Sequence, residues 1–231
     1  NIGILGQNKI TNSKVLIVGM GGLGCPVAEF LTRSGIGSLG IVDHDRISLS
    51  NIHRQSLFNE KDLNQPKVKI EKKKLNNINS LTKIKIFNYK LNKSNFQKII
   101  KDYDYIVDGT DNFESKFLIN DLSLKYKKFL ITGAISKFDG HIFTFNFKNR
   151  EEPCLRCFYQ EEKISNEILN CEYEGILGTV AGVVGTMQAN EILKNILNIG
   201  QSLNNYILII DLLNLNFRKA KIKKRKNCLC N

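Results

Sequence analysis

Short apolar runs alternate along this chain with longer stretches whose apolar residues return at helical spacing, the pattern of doubly buried strands joined by amphipathic helices. The first run, Val15 to Val18, is too short for a buried helix and closes directly on Gly19, Gly21, Gly22 and Gly24. After Cys25 comes an apolar face of Val27, Ala28, Phe30 and Leu31, with Pro26 suited to a first helical turn. Strand, glycine-rich loop and helix predict a phosphate-binding turn. Glycines let a phosphate approach the backbone, and free N–H groups at the helix start supply donors. A second run, Ser38–Val42, ends at Asp43. That acid lies about 20 residues past the glycines, where dinucleotide folds present a carboxylate to ribose hydroxyls.

Residues 43–55, DHDRISLSNIHRQ, are polar and fit neither period, so they read as a loop at the carboxyl end of the second strand, where open α/β sheets bind ligands. Gln65, Pro66 and Lys67 open a helix running to about Asn76, and Lys83–Phe87 alternates Lys and Ile as an edge strand does. A short helix over 96–101 precedes a buried strand, Tyr105–Asp108, which runs into Gly109, Thr110, Asp111 and Asn112. Phe113, Phe117, Leu118 and Leu122 keep helical spacing, and residues 129–132 give another strand. Strict alternation over 141–147 then marks a one-sided, antiparallel strand, and residues up to about 174 are polar and aperiodic. Gly178–Leu197 is helical, with Gly182, Gly185 and Ala189 on a tightly packed face, and strands over Tyr206–Asp211 and 215–222 close the pattern. The fold class predicted is α/β, a Rossmann-like nucleotide-binding sheet, mostly parallel, with antiparallel strands added in the C-terminal half. One unit spans 1–231, with 14–135 its nucleotide-binding half and 136–231 carrying the antiparallel strands, a cysteine site and a crossover loop.

Composition changes this picture little. A length of 231 residues is ample for a real core, and no apolar run reaches the roughly 18 residues of a membrane span. Neither a signal-peptide pattern nor a membrane partner is expected, and the location implied is cytoplasmic. The net charge of +12 comes from Lys spread along solvated stretches, and no recognition-helix motif or aromatic-basic repeat points to DNA. The cysteines change more. Cys154 and Cys157, then Cys228 and Cys230, argue for a metal rather than disulfides in a reducing compartment.

Taken together, GMGGLGCP, DHDRISLSNIHRQ, the QPK of residues 65–67, the GTDN of 109–112, PCLRC and CEYEGILGTVAGVVGTMQANEILK resemble the ThiF, MoeB and HesA family of adenylyltransferases, relatives of the ubiquitin-activating enzymes. The likeness spans nearly the whole chain in the family's order. It implies that ATP and the C-terminal glycine carboxylate of a ubiquitin-like sulfur-carrier protein, of ThiS or MoaD type, give an acyl-adenylate and pyrophosphate. By motif, Gly22 contacts the nucleotide, Asp43 holds the ribose, Ser50, Asn51, Ile52, His53 and Arg54 contact nucleotide and phosphates, and Lys67 lies beside them. Asp111 is the essential carboxylate that organises Mg2+, with Asn112 next to it. Cys154, Cys157, Cys228 and Cys230 would hold a structural Zn2+, although a one-residue spacer in the second pair departs from the family's usual two. Cys171 corresponds to a loop cysteine that in some relatives links covalently to the carrier; an incidental thiol is the alternative. The family also implies a homodimer, a possible sulfur-donor protein, and an Arg-containing segment of the RYxRQ type ahead of residues 6–10. This sequence begins past that segment, so either it precedes Asn1 or other cations serve.

Simpler readings stand beside these. Arg54 and Lys67 could be solvated surface, Asp111 a helix N-cap, and Cys25 a small space-filler. A tRNA threonylcarbamoyladenosine dehydratase of the same family, an NAD-dependent dehydrogenase and a non-catalytic zinc-stapled scaffold are the rival functions. The dehydrogenase leaves Arg54, Lys67, Asp111 and the cysteine pairs without a role.

Overall fold

A computed structural model describes residues 2–149, 151–159 and 175–230. Its frame is an 8-stranded sheet in the order β3-β2-β1-β4-β5-β6-β7-β8. The strands are β1 (Lys14–Val18), β2 (Ser38–Val42), β3 (Lys83–Phe87), β4 (Tyr105–Asp108), β5 (Phe129–Ser136), β6 (Asp139–Asn146), β7 (Tyr206–Asp211) and β8 (Asn216–Lys221). Strands β3 to β5 in that order pair in parallel, and β6, β7 and β8 are antiparallel to their neighbours. The expected architecture and its change of direction are therefore present, with β3 on the edge.

Alternation along β1 divides the core. Val15 and Ile17 face a cluster with α2 (Gly24–Arg33), α4 (Lys67–Ile78) and α8 (Gly178–Leu197), while Leu16 and Val18 face α5 (Lys93–Ile99) and α6 (Phe113–Lys125). Of the remaining helices, α1 (Gly3–Asn12) puts Ile10 into the first cluster; α3 (Leu49–Ile52) and α7 (Leu155–Phe158) are single turns. No helix of the described residues is long and apolar enough to cross a membrane.

Several local expectations change. Phe30 is 42% exposed, because α2 turns only Val27, Ala28 and Leu31 of that set to the sheet. The loop over 43–55 contains the α3 turn. Strand β6 is not one-sided: Ile142, Phe143, Thr144 and Phe145 are all buried, Ile142 packing in the first cluster and Phe143 and Phe145 in the second. On α8, Gly185 meets α2 so closely that a Cβ would lie 2.5 Å from Pro26 Cγ and 2.6 Å from the Leu23 carbonyl oxygen. Gly182 has nothing within 4 Å of its Cβ position and lies off that packed face. Cys171 falls outside the described residues.

Candidate active site

Strands β1 and β4 lie side by side, but their connections leave in opposite senses, to β2 and to β5, so a crevice opens beyond their carboxyl ends. Gly19 enters it at φ +87°, in the left-handed region, and a Cβ there would stand 2.9 Å from the Gly109 carbonyl carbon. Gly24 is held as tightly, since its Cβ would lie 2.0 Å from the Gly19 carbonyl oxygen. The glycine loop and the GTDN loop thus pack backbone to backbone. Among the described residues, no hydrogen bond engages the N–H groups of Gly21, Gly22 and Leu23, which leaves three donors ahead of α2. Consecutive free amides at a helix start form an anion-binding concavity.

A cavity of about 980 Å³ occupies the crevice. It is lined by Gly22, Asp43, Ser50, Asn51, His53, Arg54, Lys67, Asp111 and Asn112, nine residues of the predicted site; Ile52 is not among them. Asp43 is 9% exposed, and its carboxylate accepts from the Met20 N–H at 2.7 Å and the Asp45 N–H at 2.8 Å. The acid at the end of β2 is therefore locked to the glycine loop. Arg54 Nη1 donates to the Ser50 carbonyl at 2.9 Å and lies 2.8 Å from His53 Nε2. No carboxylate pairs with it among the described residues, so its charge stays available to an anion.

Lys67 is not a surface lysine. It opens α4 at 4% exposure and donates to Asp45 at 2.9 Å. Burial would lower its pKa, but Asp43 and Asp45 outweigh that and raise it, so the ammonium stays charged. Behind it, Glu71 is buried without any exposure; desolvation and the nearby Asp43 charge push its carboxyl well above the usual range. Cys25, whose thiol donates to Glu71, is raised by burial too and remains an unreactive thiol, the space-filling role. Asp111 is exposed and, among the described residues, accepts only from Asn112 Nδ2, at 3.3 Å. Asn112, not Asp111, is the N-cap of α6, its Oδ1 accepting from the Ser115 N–H at 2.9 Å. Capping by the neighbour frees the Asp111 carboxylate for a cation.

Sequence reading missed a buried layer beneath the GTDN loop. Asp108, fully buried, accepts from Thr110 N–H at 2.9 Å, Thr110 Oγ1 at 2.6 Å, Thr132 Oγ1, and Lys116 Nζ at 3.1 Å. Lys116 also donates to the Gly133 carbonyl at 2.6 Å. A lysine one helical turn into α6 reads as surface in isolation. The far wall carries His141, whose Nδ1 lies 3.4 Å from Tyr159 Oη; burial lowers its pKa and keeps the ring neutral.

On the opposite face of the sheet from α8, Cys154, Cys157, Cys228 and Cys230 bring their sulfurs within 4.8 Å of one another. The Cys154 to Cys228 and Cys157 to Cys230 separations are both 3.5 Å. Four thiolates at about 2.3 Å from a tetrahedral ion stand roughly 3.8 Å apart, so this donor set fits Zn2+ in spite of the short spacer. The first pair is fixed independently of metal: Leu155 N–H donates to Asn120 Oδ1 at 2.9 Å, and Arg156 forks onto Asp121 at 2.8 and 2.9 Å.

The profile of the ThiF family matches residues 1–231. The chain is 34% identical over 230 residues to the sulfur carrier protein adenylyltransferase of Thermus thermophilus, covering 98% of this chain and 85% of that protein. It is 39% identical over 229 residues to the adenylyltransferase and sulfurtransferase MOCS3 of Drosophila sechellia, covering 99% and 50%. The chain thus spans about half the length of that relative. Among solved structures, E. coli MccB with ATP superposes with a TM-score of 0.87 at 23% identity, over 99% of this chain and 69% of that one. At that identity the likeness speaks for the fold.

Proposed function

The chain belongs to the ThiF family, and we propose that it is an ATP-dependent adenylyltransferase that activates the C-terminal glycine carboxylate of a ubiquitin-like sulfur-carrier protein. The observation that carries this reading is the crevice itself: three backbone donors, an arginine and an exposed aspartate that no other described residue engages through a hydrogen bond or ion pair to their free ends, apart from Asn112 at Asp111 and Ser50 and His53 at Arg54, line one cavity with a buried charged lysine. A dehydrogenase would have no use for that set. In the reaction a carboxylate oxygen of the carrier forms a bond to the α-phosphorus of ATP, and the bond from that phosphorus to the bridging oxygen of pyrophosphate breaks. Negative charge gathers on the phosphates as they separate, so donors already in place lower the barrier.

In this scheme the amides of Gly21 to Leu23 and the Arg54 guanidinium bind the triphosphate. Asp43 holds the glycine loop in shape and takes the ribose, with Ser50, Asn51 and His53 flanking the nucleotide. Lys67 lays a fixed positive charge beside Asp43 and Asp45, and Asp111 with Asn112 beside it would hold Mg2+, which would supply positive charge to the phosphates. Ile52 lies off the cavity wall and has no part in this scheme. His141, Tyr159 and Ile176 line the same cavity. The four cysteines hold Zn2+ as a structural staple between α7 and the C-terminal tail. Homodimerisation, a sulfur-donor protein and a covalent role for Cys171 belong to the same reading. ATP–pyrophosphate exchange, measured with and without a sulfur-carrier protein, tests it. Exchange that requires the carrier is expected, and nicotinamide reduction without exchange would sink it.

A further inference from the structure

The segment from Asp108 to Lys116 carries the GTDN loop and the first turn of α6, and the ion pair joins its two ends, Lys116 Nζ donating to Asp108 Oδ2 at 3.1 Å. Asp111 sits within that segment, on the cavity wall, and among the described residues only Asn112 engages its carboxylate. Its place in the cavity is therefore set by the backbone on either side. That backbone hangs on Asp108, whose Oδ1 accepts from both the N–H and the hydroxyl of Thr110, at 2.9 and 2.6 Å, closing a side-chain turn over the residue before Asp111. Oδ2 is taken by Thr132 Oγ1 and by Lys116. Lys116 is anchored in turn to the Gly133 carbonyl of β5, and Gln188 of α8 donates to the Asp108 carbonyl at 3.1 Å. A pair sealed from water adds little stability over apolar residues of the same size, yet this one lies directly beneath a charged residue of the site.

We propose that Lys116 is a positioning residue for the reaction: by holding the Asp108 carboxylate toward Thr110, it fixes the turn from which Asp111 presents its own carboxylate to the cation that accompanies the nucleotide. This rests on the role proposed above for Asp111. Lys116 acts through Asp108. Each link is closed to water, since Asp108, Lys116 and Thr132 are all buried, so the carboxylate has one arrangement open to it. Among the described residues Lys116 is the one cation that pairs with Asp108. Without its ammonium, Oδ2 loses its charged partner, the carboxylate gains freedom to turn, and the Thr110 N–H and hydroxyl lose a fixed acceptor. Groups that orient a metal ligand from behind govern metal affinity nearly as strongly as the ligand itself.

Lys116→Met removes the ammonium, and Thr110→Val removes the hydroxyl that Asp108 accepts while leaving the ion pair whole. Affinity of the full chain for ATP is measured by isothermal titration, once with saturating Mg2+ and once in buffer passed over a chelating resin, at a temperature where circular dichroism shows the protein folded. Wild type should bind ATP more tightly with Mg2+; Lys116→Met should lose at least about tenfold of that enhancement and Thr110→Val about threefold, while affinity without Mg2+ stays within about twofold of wild type. A lysine that merely held the fold together would lower the fraction of chains that bind and leave both affinities, and their ratio, unchanged. A wild-type ratio in Thr110→Val or in folded Lys116→Met, or an equal loss with and without Mg2+, overturns the assignment of Lys116. Wild-type protein that binds ATP equally in both buffers overturns the cation role of Asp111 and this proposal with it, and wild-type protein that binds no ATP overturns the nucleotide site as well.

Discussion

Replacing Lys116 with Met tests the layer on which the GTDN loop stands. The wild-type ion pair is almost closed to water, with side-chain exposures of 6% for Lys116 and 1% for Asp108. Removing the lysine leaves the Asp108 carboxylate with two threonines and one backbone amide but no cation. Stranding one member of a buried pair costs about 3–5 kcal/mol. For a domain of this size, where each kcal/mol moves Tm by about 2–4 °C, the loss in thermal unfolding is roughly 6–20 °C. Asp108→Asn alone strands the lysine instead and should cost a similar amount. The double variant, Lys116→Met with Asp108→Asn, leaves no bare charge and should regain at least half of the single-variant loss. Melting all four proteins by circular dichroism closes a double-mutant cycle. A drop of less than about 2 °C for Lys116→Met, or a double variant whose loss equals the sum of the singles, would refute the reasoning.

Asp111→Ala should lower carrier-dependent exchange by at least about a hundredfold and, since Asp111 is exposed and caps nothing, change stability by no more than about 0.5 kcal/mol; retained exchange removes it from the site. Glu71→Gln carries a pH signature. The folded-state carboxyl lies well above its ordinary 4.5, so wild-type stability falls as pH rises from 4.5 toward the folded value. The Gln variant has no such titration, and its advantage in urea unfolding should grow by about 1.4 kcal/mol per pH unit across that window, with none gained below it; a difference constant with pH contradicts the buried-acid account. Elemental analysis should find one zinc per chain, fewer in Cys228→Ser, and a strong chelator should lower Tm. Zinc-free, equally stable protein rules the cysteine assignment out.

Much of the fold was legible because strand and helix periods are properties of contiguous residues. The runs ending at Val18, Val42 and Asp108, each followed by polar or glycine-rich sequence, are enough to put the ligand side of the sheet at their carboxyl ends. Alternation over 141–147 misled because burial depends on what else covers the strand. Helix α8 lies in sequence far from β6, and it closes the face that the pattern assigns to water. Asp111 and Asn112 are equally able N-caps on paper; only the backbone turn into α6 decides which of them bonds the Ser115 N–H. The same limit hid Lys116, since a lysine in a helix is unremarkable until its surroundings are known.

By itself, then, the sequence determined the order of elements, the glycine turn, the family motifs and two cysteine pairs, all of them encoded within a few consecutive residues. Only the tertiary structure decided that Cys154 and Cys157 meet Cys228 and Cys230 within 4.8 Å. It likewise decided that no carboxylate among the described residues pairs with Arg54 and that Lys67 stays charged although buried. Charge state and hydrogen-bond satisfaction depend on neighbours brought in from distant parts of the chain, and no local pattern records them.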